Sequence, residues 1–152
     1  MIVNEIMKTA VATCSPSDDL ATATRTMHDR RCGFLPVIAP DGTIAGVVTD
    51  RDICLHAAHA PQPLAHLAVR ETMSRPVFSC LPHDNLKAVI AEMAEHHVHR
   101  LPVVDEEGHL KGIVSIDDVI DAPHRRGAPT AAEIVTALKG ILATGRIETA
   151  SA

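Results

Sequence analysis

Apolar residues recur at helical spacing at Leu86, Val89, Ile90 and Met93, and more weakly at Leu20, Ala23 and Met27. Each set predicts a helix with one buried face. Two short apolar runs follow each helix. Leu35 to Ile38 and Ile44 to Thr49 flank Asp41-Gly42, while Leu101 to Val104 and Leu110 to Ser115 flank Glu107-Gly108. Each pair reads as a β-hairpin, because glycine takes a positive φ in the turn without steric cost. Ahead of each helix, Val11 to Cys14 and Val77 to Cys80 predict a short strand ended by Pro16 or Pro82. Asp18 or Asp84 is expected to open the helix, where a carboxylate meets free N–H groups. A turn of helix carrying Ile6-Met7 or Thr72-Met73 comes before each strand, and a last helix starts near Asp50 or Ile116.

These paired elements are one unit written twice. A shift of 66 residues lays Val3–Cys54 on Val69–Ile120 without a gap, and 16 of the 52 positions are identical. They include Pro36/Pro102, Gly42/Gly108, Gly46/Gly112 and Asp52/Asp118. The identities fall at turns and apolar positions, where structure dictates residue type. The order β-α-β-β-α twice predicts an α/β (α+β) fold, with two half-units stacked about a pseudo-twofold axis so that both apolar sheet faces are buried. The expected organisation is a first repeat over 1–60, a Pro-broken crossing over 61–68, a second repeat over 69–122, and a linker with a C-terminal amphipathic helix over 123–152. Thr130-Ala131-Ala132-Glu133 is a capping box opening that helix. Ile134, Val135, Leu138, Ile141 and Leu142 are expected on one face, to fold back on the core or to join a second subunit. From about Thr144 the chain is expected to fray.

Composition narrows the partners. The net charge is −5 and the aromatics are two Phe with no Trp or Tyr. Neither a basic patch nor a base-stacking platform is available, so nucleic acid is not an expected partner. No apolar run is long enough to span a membrane, and the N-terminus lacks the pattern of a signal peptide. Cys14, Cys32, Cys54 and Cys80 lack C-x-x-C spacing. They read as buried thiols of a reduced, cytoplasmic protein. His96-His97-x-His99, with His124 further on, offers imidazoles for a metal, but no spacing matches a zinc module and a solvated helix end explains them. No Gly-x-Ser-x-Gly, P-loop or His-Glu-x-x-His occurs, so no enzyme is expected.

The chemistry concentrates in Gly-x-x-[Thr/Ser]-x-x-Asp, present as Gly46, Thr49, Asp52 and as Gly112, Ser115, Asp118. The hydroxyl ends a strand and the carboxylate enters the first helical turn. Glycine permits close backbone approach. The hydroxyl can bond a phosphate oxygen, and the ionised carboxylate can accept both hydroxyls of a ribose. The same residues are also plain helix caps. A phosphate beside a carboxylate needs basic residues, and Arg51 supplies one in the first half.

Leu35-Pro36-Val37-Ile38 with Asp41-Gly42 and Gly46 to Ile53, matched by His99 to Asp105 with Gly108 and Gly112 to Val119, resembles a tandem pair of CBS domains, the module named after cystathionine β-synthase. The resemblance covers about residues 3–120. It implies a stand-alone regulatory module of bacterial type whose repeats form a disc with two clefts between them. Such clefts take an adenosine-containing ligand: AMP, ADP, ATP or S-adenosylmethionine, with NAD(H) or a cyclic dinucleotide as further candidates. It also implies a homodimer and a regulated partner protein. His99 and Arg100 stand where related pairs carry phosphate contacts. The Ser115/Asp118/Arg100 cleft is therefore expected to hold the phosphate, and Phe34 to cover an adenine ring. Adenine needs apolar walls and backbone hydrogen bonds, which the segments near Thr9 to Val11 and Arg75 to Val77 offer. A ligand-independent dimerisation module and a His-rich metal protein are the alternatives.

Overall fold

The computed structural model describes residues 1–122 and 127–145. Two compact units divide the chain: unit 1 is Met1–Thr9, Phe78–Val103 and Lys111–Ala152, and unit 2 is Ala10–Val77 and Val104–Leu110. Each unit thus takes most of one sequence repeat and short pieces of the other.

In unit 2 the first repeat gives α1 (Leu20–Arg30), β1 (Phe34–Ile38), β2 (Ile44–Thr49) and α2 (Asp50–His59). β1 and β2 pair antiparallel, with Leu35 opposite Val48 and Val37 opposite Gly46. The turn rests on Gly42, whose φ is +88°. The Asp41 carboxylate accepts from Thr43 N at 3.0 Å and from its hydroxyl at 2.7 Å. Leu20, Leu35, Val37 and Val48 are fully buried and, with Ala23 and Met27, make the core.

Unit 1 repeats this arrangement with α3 (Leu86–Glu95), β3 (Arg100–Val104), β4 (Leu110–Ser115) and α4 (Ile116–Asp121), the strand-end residues Val104 and Leu110 being counted with unit 2. The apolar stripe Leu86, Val89, Ile90, Met93 is buried as its spacing predicts. α5 (Ala131–Ile141) packs on this unit, not away from it. Ile134, Ala137 and Ile141 join the core of α3, β3 and β4. Its capping box forms as expected, with Thr130 N donating to Glu133 at 2.7 Å and Glu133 N to the Thr130 hydroxyl at 3.3 Å. The buried face is narrower than expected: Val135 and Leu142 are 49% and 60% exposed. The segments 123–126 and 146–152, with part of the expected linker and frayed end, lie outside the described residues.

Two local expectations are corrected. Val11–Cys14 and Val77–Cys80 are not strands but single-residue parallel bridges, at Cys14 to Val37 and Cys80 to Val103. The chain touches the hairpin edge only there; Cys14 N donates to Pro36 O at 3.1 Å and Ile38 N to Cys14 O at 2.8 Å. The helix caps are Asp19 and Asn85, one residue later than Asp18 and Asp84. The carboxylates of Asp18 and Asp84 turn back instead, accepting from Ser15 N at 2.8 Å and Leu81 N at 2.7 Å. They stabilise the turn before the helix and leave the free helical N–H groups to the next residue.

Candidate functional site

Thr49 and Ser115 each end a strand and cap the helix that follows. In unit 2, Asp52 accepts on one carboxylate oxygen from Thr49 N (2.9 Å) and Thr49 Oγ1 (2.7 Å), and Asp52 N returns a bond to that hydroxyl at 3.1 Å. In unit 1, Asp118 accepts from Ser115 N (2.9 Å) and Ser115 Oγ (2.6 Å), with Asp118 N donating back at 3.2 Å. Both corners are capping boxes. Capping uses one carboxylate oxygen and leaves the other for a further partner.

A second segment flanks each corner, and it comes from the other sequence repeat. Lys8 pairs antiparallel with Ile113 of β4, exchanging N–H···O bonds of 2.9 Å each way. Ser74, its counterpart under the 66-residue shift, pairs with Val47 of β2. Gly112 makes this approach possible: a Cβ there would lie 2.7 Å from the Lys8 carbonyl oxygen. Thr9 therefore belongs with Ser115, Asp118, His99 and Arg100 in unit 1. Val11 and Val77 belong with Thr49, Arg51 and Asp52 in unit 2. Both valines are half-buried, while Thr9, Arg51 and His99 are exposed. His99 meets the corner through its backbone, its carbonyl accepting from Ile116 N at 2.9 Å. Arg100 opens β3 and is half-buried; Phe34, at the same place in β1, stands opposite Thr49.

Lys8 is the functional candidate that the motif does not reveal. Its ammonium lies 2.6 Å from the second oxygen of Asp118, whose side chain is only 8% exposed. Burial pushes the Asp118 carboxyl up, but hydrogen bonds from Lys8 and Ser115 outweigh it and hold the group below the ordinary range. Lys8 is raised in turn, first by its hydrogen bond and charge contact with Asp118. Only one sequence signal pointed to it: a lysine directly before Thr9 where the other half has Ser74.

The remaining groups show little chemistry of their own. Burial pushes the Cys14 and Cys80 thiols up to about 12, so neither is a nucleophile at neutral pH. Cys54 is exposed, against the expectation of a buried thiol, because it faces an open cavity beside α1 and α2; all four cysteines are free. His96 stacks on Phe78 with ring centroids 3.6 Å apart and lies 3.3 Å from Glu92. His97 bonds the Gly140 carbonyl at 2.8 Å. Among the described residues, Glu92/Glu95/His96 and Asp105/Glu107/His109 each bring three potential ligand atoms together, the first group mostly exposed and the second with Asp105 and His109 half-buried. A cavity of ≈ 480 Å³ opens beside α1 and α2 of unit 2, lined by Met27, Cys32, Ile53 and Cys54 among others.

Two domains of the CBS domain family match residues 3–59 and 69–125. The chain belongs to this family. The CBS domain-containing protein YhcV of Bacillus subtilis is 35% identical over 117 residues, covering 77% of this chain and 81% of that protein. The gamma-3 subunit of the 5'-AMP-activated protein kinase of Bos taurus is 37% identical over 109 residues. That match covers 68% of this chain but only 22% of the subunit, so the CBS pair corresponds to a small part of it. Among solved structures, CBSX2 in complex with AMP is 25% identical with a TM-score of 0.68, covering 78% of this chain and 92% of that one. The fold is the mixed α and β architecture of a tandem CBS pair. No helix among the described residues is long and apolar enough to cross a membrane.

Proposed function

We propose that this CBS pair is a regulatory module rather than an enzyme, binding an adenosine-containing ligand and passing its occupancy to a partner protein. The observation that carries the reading is the duplicated corner: a hydroxyl ending a strand, a carboxylate three residues on, and a glycine-backed edge segment beside them. An ionised carboxylate accepts ribose hydroxyls on an oxygen left over from capping, which Asp52 has to spare and Asp118 shares with Lys8. Exposed Arg51 and Arg75 in unit 2, and His99 and Arg100 in unit 1, provide for phosphate. Kinship with AMP-bound CBSX2 and with a subunit of an AMP-activated kinase supports an adenine nucleotide such as AMP, ADP or ATP, with S-adenosylmethionine as the other ligand of this class. The repeats of the module are residues 1–60 and 69–122, joined by 61–68 and followed by 123–152. Four free thiols fit a cytoplasmic setting. Exposed Leu55, Val135 and Leu142 fit a homodimer.

Thermal melting with each ligand tests the reading. A ligand at a hundredfold excess over its Kd stabilises by about 2.7 kcal/mol, and for a chain of this size that is roughly 5–10 °C in Tm. The rise is expected with at least one adenosine ligand and is lost in Asp52→Ala, in Asp118→Ala, or in both. A melting curve indifferent to all of them, or a rise that both variants keep, overturns the corner as a ligand site. Sedimentation of the same sample should give a dimer mass; a monomer mass removes the homodimer.

A further inference from the structure

Resting on the adenosine-ligand reading, we infer that Lys8 closes the Asp118 corner to ribose and leaves the Asp52 corner as the seat of a phosphorylated adenosine ligand. The two corners share a backbone but not a charge pattern. Asp118 spends one oxygen on Ser115 and the other on the Lys8 ammonium at 2.6 Å. Asp52 spends one oxygen on Thr49; among the described residues no cation lies within ion-pair distance of the other. Ser74 stands where Lys8 stands in unit 1, with the same edge pairing and no charge. A ribose needs a carboxylate oxygen that can accept its hydroxyls. At Asp118 it would have to displace an ammonium from a nearly buried carboxylate, and a charge-assisted N–H···O bond is stronger than the neutral hydroxyl bond replacing it.

The surrounding charges point the same way. Lys8 sits in the field of three carboxylates, Asp118, Asp121 and Asp117, each of which raises it. Asp117 occupies the place that Arg51 holds in unit 2, and Thr9 the place of Arg75. No carboxylate among the described residues forms an ion pair with Arg51 or Arg75; Arg75 donates weakly to the Met73 sulfur at 3.8 Å, a bond that a phosphate would readily replace. His99 and Arg100 add positive charge in unit 1, so phosphate alone would not separate the corners. The spare carboxylate oxygen does. Lys8 thereby sets which of two near-identical corners carries the ligand, and moves it from the Ser115/Asp118/Arg100 cleft expected from the sequence to the Asp52 corner.

Titration calorimetry on the full chain, with AMP and ATP as probes, tests this. Wild type should bind one nucleotide per chain, and Asp52→Asn should weaken that binding at least about tenfold. Lys8→Met keeps the aliphatic stem and frees Asp118; it should raise the stoichiometry to two. Adding Asp118→Asn to Lys8→Met should return it to one. Two equal sites in wild type, a single site lost in Asp118→Asn but kept in Asp52→Asn, or a stoichiometry of one in Lys8→Met would each overturn the assignment. No binding by any form would overturn the adenosine reading itself and the assignment with it, a result distinct from a site in the wrong unit. Circular dichroism checks that each variant is folded. The Lys8 side chain is 72% exposed, so the Lys8→Met arm stands even if Asp52→Asn does not fold.

Discussion

A methyl group added at Gly112 would meet the Lys8 carbonyl oxygen at 2.7 Å, and one at Gly46 would meet the Met73 sulfur at the same distance. The distances match but the obstacles differ. The Met73 side chain can swing to another rotamer, whereas the Lys8 carbonyl is held by its own bond from Ile113 N. Gly112→Ala is therefore expected to cost about 2–3 kcal/mol and Gly46→Ala about 1 kcal/mol, within the usual range for overpacking. Urea unfolding of the two variants checks it; equal midpoints would mean that the Lys8 edge yields as easily as a methionine. The same residues explain why the candidate site was only half legible in the sequence. Thr49, Asp52, Ser115 and Asp118 are local, each hydroxyl three residues before its carboxylate, and a motif can display that. Lys8 reaches Asp118 from the far end of the chain through an edge pairing, and no spacing rule encodes such a contact.

Helices were legible where one face is buried and blurred where it is not. α3 carries Leu86, Val89, Ile90 and Met93 on one side, all buried, so its period survives intact. In α5 the apolar residues spread round more of the cylinder than the core can cover. Ile134, Ala137 and Ile141 turn inward; Val135 and Leu142 do not. The helix can approach α3 closely because Gly140 faces Ala94, where an added Cβ would come within 2.7 Å of the alanine Cβ. Ile141→Ala should therefore cost about 3 kcal/mol as a buried truncation, while Leu142→Ala should stay within about 0.5 kcal/mol. Chemical denaturation separates the two, and similar losses would mean that Leu142 has a covering surface of its own. The Val11–Cys14 strand failed for a related reason. Its apolar residues signalled burial correctly, but only Cys14 reaches the hairpin edge, and one bridge leaves no periodic trace. The caps slipped by one residue because Asp18-Asp19 and Asp84-Asn85 each offer two capping side chains in a row. Only the turn at Ser15 or Leu81 decides between them.

At the scale of the whole molecule, the stability of a chain with net charge −5 should fall in acid for a specific reason. Among the described residues, four carboxyls are held below their ordinary values. In unit 2, Asp19 and Asp41 are lowered by hydrogen bonds from Thr22 and Thr43. In unit 1, Asp118 is lowered by Lys8 and Ser115 against the opposing effect of burial. Glu133, also in unit 1, falls to about 2 through the hydrogen bond from Lys87 and those from Thr130. Unfolding returns these groups to about 3.8 for aspartate and 4.5 for glutamate. Within that window the unfolded chain binds more protons than the native one, so stability rises with pH. The contribution is complete above the unfolded values and is lost as pH falls through the folded ones. Lys8 works in the opposite sense. Its folded value is raised above 10.5, so its share is complete below 10.5 and lost as pH climbs past the folded value. The Lys8–Asp118 pair thus stabilises a plateau from about pH 5 to about pH 10, with both shoulders softened by salt because the ammonium is exposed. Urea midpoints of wild type should climb from pH 2 to pH 5 and then level off. In Lys8→Met the acid climb should be shallower and the alkaline shoulder weaker, because one substitution removes a partner that acts at both ends. A Lys8→Met profile parallel to wild type at both ends would show that the ammonium contributes nothing to the fold, and would leave no bond at Asp118 strong enough to keep a ribose out.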